Sequence, residues 1–214
     1  MMSKKEEIDF QSHWEKAWET SPVEKTGWYE QIPAPSLELI ESCQLDKKAV
    51  ILNVGAGATT LVDELVDTGY DKIIANDISA SALEALKKRL GKNSHKVTFV
   101  VDDLVHPAVL TEAGPVDLWH DRAVLHFFNK KEEQDAYFKL LRKLVKPGGY
   151  VIIAVFNLQG ATKCSGLPVF RYDQGMLAER LGEDFKLIKA FDYTYTMPSG
   201  DTREYIYTLF KRHK

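Results

Sequence analysis

The chain has 214 residues, of which 44% are hydrophobic and 28% are charged, and its formal net charge is −3. This length predicts one domain with a sizeable core, and the composition excludes a disordered chain, a collagen-like fibre and a coiled coil. The slight negative charge argues against a general nucleic-acid-binding protein. No apolar run is long enough to span a membrane, the first residues carry no apolar stretch typical of a secretory signal, and two cysteines suit a reducing compartment. We therefore expect a cytoplasmic protein.

An N-terminal helical arm is predicted over residues 1–35, followed by the main domain over residues 36–214. Phe10, Trp14 and Trp18 recur at the spacing of one face of an amphipathic helix. The segment after them holds one glycine and three prolines, which is typical of an irregular connection. We expect the arm to fold over the domain as a lid.

From residue 49 onward, apolar strand patterns alternate with helix patterns. Such alternation predicts parallel strands joined by right-handed crossovers. Lys146-Pro147-Gly148-Gly149 is predicted to end the helix before the fifth strand. Two long final strands are separated only by Pro198–Asp201, so they must form an antiparallel hairpin. The prediction is an α/β fold: a doubly wound, seven-stranded, mostly parallel sheet with a reversed C-terminal strand and helices on both faces.

Three predicted strands end in residues that suit a nucleoside ligand. Ligands of doubly wound sheets bind beyond the carboxyl ends of the strands. The first strand leads into a glycine loop, the second ends in a carboxylate able to accept from ribose hydroxyls, and the third ends in carboxylates able to accept from an exocyclic amine. Taken singly, each feature is equally typical of a tight turn, an ordinary loop carboxylate or a turn cap. Together they predict an adenosine-bearing ligand bound by Gly55, Ala56, Gly57, Asp77, Ile78, Asp102, Asp103 and Leu104.

These motifs resemble those of class I S-adenosylmethionine-dependent methyltransferases, whose fold is Rossmann-like. The resemblance spans residues 28–212 and rests on ILNVGAG, AND, VVDDL, VDLWHDRA, KPGG and the C-terminal hairpin. It implies S-adenosyl-L-methionine as cofactor, with the two glycines against its methionine part, Asp77 on the ribose and Asp103 on the adenine amine. Trp28 is expected at the cofactor rim, where an aromatic face attracts the sulfonium. Asn53 departs from the acidic residue common before the first glycine.

Three consecutive residues at the end of the fourth strand are the catalytic candidates. His120 is expected to border the methionine part and the acceptor. It is the candidate base because imidazole titrates near neutrality, against the alternative of a histidine whose nitrogens are hydrogen-bonded within the rim. Asp121 would orient His120 or an acceptor cation, and a strand-end cap is an equal alternative. Arg122 would clamp an anionic acceptor, against the alternative of a structural ion pair.

Further candidates lie beyond this strand. Cys164 is expected on a loop that roofs the acceptor pocket, with Arg171 and Tyr172 as possible anion contacts. His126 is expected to be structural, and Cys43 to belong to the core. The six histidines show no metal-ligand spacing, so no metal site is predicted.

The sequence therefore predicts a methyltransferase that acts by in-line displacement on an unidentified acceptor. Local stretches resemble small-molecule methyltransferases of the thiopurine and metalloid kind, and also a related branch that modifies protein lysines. The modest acidity and the aromatic arm favour a small molecule over nucleic acid, and a protein acceptor stays open as the alternative. An NAD(P)-dependent oxidoreductase and a non-catalytic nucleotide-binding module are more distant alternatives. No nucleic-acid or membrane partner is expected.

Overall fold

The computed structural model describes residues 8–214 of the chain. It contains a seven-stranded sheet, a small two-stranded hairpin and helices on both faces of the large sheet. The helices are α1 (Phe10–Thr20), α2 (Ala34–Ser42), α3 (Leu61–Asp67), α4 (Ala80–Leu90), α5 (Lys131–Leu144) and α6 (Gln174–Leu181). The strands are β1 (Ile51–Val54), β2 (Ile73–Asp77), β3 (Val97–Val101), β4 (Val116–Arg122), β5 (Val145–Phe156), β6 (Lys163–Cys164), β7 (Leu167–Pro168), β8 (Phe185–Thr196) and β9 (Thr202–Arg212).

The large sheet has the strand order β3-β2-β1-β4-β5-β9-β8. Strands β1 to β5 pair in parallel, and β9 is antiparallel to both of its neighbours. The predicted fold, including the reversed C-terminal strand, is confirmed. The strand order reverses between β1 and β4, which is where ligands of such sheets bind.

Two hydrophobic cores cover the two faces of the sheet. Adjacent strand residues point to opposite faces, so Ile51 belongs to the core under α2, α3 and α4, whereas Leu52 belongs to the core under α5 and α6. Burial on both faces explains why β1 and β2 begin with consecutive apolar residues, 51–52 and 73–75. Cys43 is a buried member of the first core, as predicted.

The segment that was predicted to end the helix before the fifth strand lies inside that strand. Helix α5 ends at Leu144, and the KPGG residues follow within β5. Val116 pairs with Val145 but Leu118 pairs with Tyr150, so this segment bulges out of the ladder between β4 and β5.

The N-terminal region forms the predicted helix α1 and an irregular connection with one short 3₁₀ turn. Helix α2 begins at Ala34, so the expected boundary after residue 35 falls within its first turn. Residues 1–7 of the predicted arm lie outside the described residues. Within residues 8–214, no helix is long and apolar enough to cross a membrane.

Candidate active site

A pocket that is partly open to solvent lies at the carboxyl ends of β1 to β4. Its walls come from the loops after these strands, and its roof comes from α1 and the segment that follows it. Nine of the predicted site residues line it: Trp28, Gly55, Asp77, Ile78, Asp102, Asp103, Leu104, His120 and Arg122. The three loop tips singled out in the sequence therefore do meet at one rim.

The glycine loop after β1 is shaped by close neighbours. Gly55 and Gly57 have φ of 57° and 53°, a region that favours glycine. A Cβ at Gly55 would lie 2.1 Å from Val124, and one at Gly57 would lie 2.3 Å from the indole of Trp18. Trp18 therefore covers Gly57, and Ala56 is buried with its N–H bonded to a backbone carbonyl. The expectation that Ala56 and Gly57 border the ligand pocket is wrong for this structure.

Asp77 closes the end of β2. Its carboxylate accepts hydrogen bonds from the N–H of Gly57 at 2.8 Å and of Ser79 at 2.9 Å. Burial raises the pKa of Asp77 to about 6, although these donors favour the charged form. Asp77 thus links the loops after β1 and β2 while it lines the pocket.

The two carboxylates after β3 differ in their surroundings. Asp102 accepts four backbone N–H groups, from Asp103, Ala108, Val109 and Leu110, at 2.7–3.0 Å. Burial raises the pKa of Asp102, but these donors outweigh it and bring the pKa below its usual value. Its carboxylate is committed to folding the loop, although Asp102 also lines the pocket. Asp103 accepts one such bond, from Val105.

His120 lies in the pocket wall with both ring nitrogens engaged. Nδ1 lies 2.9 Å from Oδ1 of Asn53, and Nε2 lies 2.9 Å from the hydroxyl of Ser36. An amide oxygen only accepts, so Nδ1 carries the proton and Nε2 accepts from Ser36. Burial and the charge of Arg122 lower the pKa of His120 to about 3. The prediction that His120 is a base titrating near neutrality is wrong.

Asp121 points to the opposite face of β4, as the alternation of strand side chains requires. Its carboxylate accepts from the N–H of Val124 and Leu125, and from the hydroxyl of Tyr137 at 2.7 Å. Burial raises its pKa to about 6. Asp121 is absent from the described lining of the pocket, so its predicted catalytic role is wrong and the strand-end cap is the correct alternative.

Arg122 forms a buried ion pair with a residue that the sequence had not indicated. Its Nε lies 2.8 Å from Oε2 of Glu30, and the exposed fractions of the two side chains are 10% and 8%. Nε also donates to the hydroxyl of Tyr207, and Nη1 donates to the carbonyl of Trp28. Nη2 is buried and has no partner among the described residues.

An aromatic roof, formed by Phe10, Trp14, Trp18 and Trp28, covers the pocket. The ring of Trp28 meets Trp14 at 5.5 Å and Trp18 at 5.4 Å, both edge to face. The indole N–H of Trp28 is buried and finds no acceptor among the described residues. The tryptophan rings of the roof therefore pack against one another, and the indole N–H of Trp28 remains a donor that a ligand could use.

The roof is fastened at two places. On α1, Glu15 accepts from the N–H and hydroxyl of Ser81, at the start of α4. The segment of residues 26–33, here called the strap, is held by the hydroxyls of Thr60 and Tyr195, which donate to its backbone carbonyls, and by Arg122. Strands β4 and β8 and the start of α3 thus fix the strap across the site.

Of the remaining candidates, one lines the pocket and three lie elsewhere. Cys164 lines the pocket, and burial raises the pKa of its thiol to about 11, so it stays protonated near neutrality. His126 is fully buried with its pKa lowered to about 3, which agrees with a structural role. Arg171 donates to two backbone carbonyls and Tyr172 is buried in the second core, so their predicted anion contacts are wrong. The described residues contain no cluster of metal ligands.

Residues 51–149 match the family model described as "Methyltransferase domain", over β1 to β4 and the glycine loop. Residues 51–149 of the chain therefore form a methyltransferase domain. Its cofactor is S-adenosylmethionine. The antiparallel β9 agrees with the methyltransferase assignment and not with the oxidoreductase alternative.

Individual relatives of this methyltransferase domain are distant. EEF1A lysine methyltransferase 2 of Danio rerio is 27% identical over 124 residues, which cover 55% of this chain and 52% of the relative. The chain thus spans about half the length of that curated relative. A SAM-dependent methyltransferase from Anabaena variabilis has the same fold, with a TM-score of 0.78, 16% identity and 98% of each chain covered. The 1,6-didemethyltoxoflavin-N1-methyltransferase of Burkholderia thailandensis matches with a TM-score of 0.65 and 19% identity, over 85% of this chain and 78% of the other.

Sequence patterns missed two polar residues of the pocket, Glu30 and Ser36, and the hydrogen-bond partner of a third. Glu30 lies on an irregular segment, where no periodicity marks a side chain as buried. Ser36 lies on a short helix and resembles an ordinary first-turn residue. Asn53 had a signal, since a polar residue interrupts an otherwise apolar strand, and its partner proved to be His120.

Proposed function

We propose that this protein transfers the methyl group of S-adenosylmethionine to a small-molecule acceptor. The observation that carries this proposal is the roofed pocket, in which aromatic side chains face the buried Glu30–Arg122 pair. Such an enclosure suits a compact, partly apolar molecule with few polar groups. The helix α1 and the strap act as its lid.

The polar groups of the pocket suit the proposed cofactor. Asp77 would accept from the ribose hydroxyls, and Asp103, with the backbone of Leu104, would hold the adenine. Gly55 would contact the methionine part of the cofactor, Ile78 the nucleoside, and Trp28 the region of the sulfonium. Two buried donors without partners, on Trp28 and Arg122, match a ligand that brings acceptor atoms.

Methyl transfer depends mainly on how the acceptor is positioned relative to the methyl group. When bound, S-adenosylmethionine supplies a methyl carbon already activated by the positive sulfur. The chain contributes by holding the acceptor in line with that carbon and by excluding water beneath the aromatic roof. A soft anion would need no further help, whereas an amine would need a group to take its proton.

A protein-lysine acceptor is the second candidate, and the zebrafish relative is the observation that favours it. That protein is named for lysine methylation of EEF1A, and a lysine side chain is slim enough to enter an aromatic pocket. The toxoflavin-type enzyme, in contrast, was solved with a small heterocyclic ligand. We favour the small molecule because the strap and α1 cover the pocket.

We also propose that the protein acts in the cytoplasm and does not bind nucleic acid. Both described cysteines are free, and the net charge is −3. A reducing compartment and a partner other than a polyanion agree with these two features.

Calorimetry with S-adenosylhomocysteine tests the proposal. The wild-type protein should bind it, Asp77→Ala should abolish binding, and Asp67→Ala, which changes an exposed carboxylate outside the pocket, should bind as the wild type does. Turnover of labelled cofactor should then be measured with a panel of small amines, thiols and heterocycles beside purified EEF1A. Absence of binding to the wild-type protein would refute the proposed function, and turnover with EEF1A alone would favour the second candidate.

A further inference from the structure

We propose that Glu30 is the group that takes the proton from the methyl acceptor, and that the acceptor atom is therefore a nitrogen bearing a proton. The inference rests on the proposed function and deepens it. Glu30 lines the pocket, is 9% exposed as a whole residue, and comes from the strap rather than from a strand end.

The geometry singles out this carboxylate from the acidic groups around the pocket. Asp102 is occupied by four backbone donors, and Asp77 bridges two loops. Asp103 also lines the pocket, but it is the proposed partner of the adenine. Within the described residues, Arg122 is the one group that pairs with the Glu30 carboxylate, through Oε2. Oε1 accepts no hydrogen bond there, so it is available to a ligand.

Position and charge both suit a proton acceptor. The tethers of the strap hold the main chain of Glu30 in place, since the Thr60 hydroxyl donates to its carbonyl at 2.8 Å. Burial raises the pKa of Glu30, while the charge of Arg122 opposes that rise. A carboxylate that remains charged and yet binds a proton more readily than an exposed one is suited to general-base catalysis.

The rest of the pocket offers no comparable base. His120 has both nitrogens engaged, and its pKa is lowered to about 3. Cys164 is a neutral thiol whose pKa is raised by burial. The other groups that face Glu30 are phenols and the arginine: Tyr195 from β8, Tyr205 and Tyr207 from β9, and Arg122 from β4.

The proton and electron balance is simple. The nitrogen gives its proton to Oε1 of Glu30, and its lone pair forms the new bond to the methyl carbon. The electrons of the broken carbon–sulfur bond stay on sulfur, which leaves as neutral S-adenosylhomocysteine. Glu30 then returns its proton to solvent. Nη2 of Arg122, buried without a partner, adds a donor for an acceptor atom elsewhere on the same molecule, such as a carbonyl, carboxylate or ring nitrogen.

A nucleoside analogue tests this without knowledge of the substrate. Sinefungin carries an amine in place of the methyl-bearing sulfonium, so its ammonium reaches the position where an acceptor nitrogen would meet the methyl group. Affinities for sinefungin and for S-adenosylhomocysteine should be measured by calorimetry in the wild type, Glu30→Gln and the control Glu24→Gln. Glu24 is an exposed glutamate of the same N-terminal region.

The preference for sinefungin is the ratio of its affinity to that of S-adenosylhomocysteine. We expect this ratio to fall about tenfold in Glu30→Gln, as for loss of one charge-assisted hydrogen bond, while the affinity for S-adenosylhomocysteine is unchanged. Glu24→Gln should match the wild type. The preference should also fade at acidic pH in the wild type, as Glu30 becomes protonated, and should be flat in Glu30→Gln.

The outcomes separate the two proposals. If S-adenosylhomocysteine binds all three proteins and the sinefungin preference is the same in each, the role of Glu30 is refuted while the proposed function stands. If the wild type binds neither nucleoside, both fail. Should Glu30→Gln unfold, Glu30→Asp, which keeps the charge but shortens the reach, must lower the preference; an unchanged preference in that variant refutes the role.

Discussion

Replacement of Gly57 by alanine should undock Trp18 from the glycine loop. At the φ of 53° found here, an alanine costs about 1–2 kcal/mol. Its methyl group would also lie 2.3 Å from the indole of Trp18, whereas carbon atoms pack at about 3.5–4.0 Å. The indole must therefore move by more than about 1 Å, and the loss of part of its burial adds about 1 kcal/mol.

Gly91→Ala is the matched control for this variant. Gly91 has the same φ of 53°, but an added Cβ would meet no atom within 4 Å. At Gly91, where ψ is −121°, an alanine should lower the melting temperature through backbone strain without moving a tryptophan. Gly57→Ala, unlike its control, should shift the tryptophan emission to the red and weaken binding of S-adenosylhomocysteine. Equal emission spectra and equal affinities for the two variants would refute the packing of Trp18 on Gly57.

Three further variants or conditions test other contacts. Tyr137→Phe leaves the buried carboxylate of Asp121 and an indole N–H short of a partner, so unfolding should become about 2–4 kcal/mol easier in denaturant titrations; Tyr172→Phe, whose hydroxyl has no described partner, should cost little, and a comparable loss would contradict this assignment. Glu15→Ala should speed proteolytic cleavage within α1 about threefold by releasing its bonds to α4; unchanged cleavage would count against that fastening. Because the pKa of Asp77 is raised to about 6, affinity for S-adenosylhomocysteine should fall about tenfold per unit as pH drops below that value, and a flat calorimetric profile between pH 4 and 7 would show that its charge is not needed.

The strands and their directions could be predicted because burial on both faces produces apolar runs that are visible in the sequence. The apolar run ending at Gly55 and the carboxylate at Asp77 fixed where the parallel strands end. The four-residue gap between the last strands fixed the antiparallel hairpin. These features depend on local pattern and on chain geometry, which a single sequence contains.

The site was predicted less completely because its chemistry depends on contacts between distant segments. Adjacent strand residues looked equally plausible, yet alternation places Arg122 in the pocket and Asp121 behind it. His120 was expected to titrate near neutrality, but its partners come from α2 and β1. Glu30 gave no signal, because only the fold reveals that an irregular segment is buried against β4.

Two parts of the covering of the pocket, the strap and α1, are attached to the domain by different contacts. Residues 26–33 are joined to the domain by bonds from α3, β4 and β8, whereas α1 is joined through aromatic edges and one glutamate. Movement of α1 alone would open the pocket to a nucleoside and leave the strap in place. Glu30 and Arg122 would then keep their positions, and the acceptor side of the pocket would need no rearrangement.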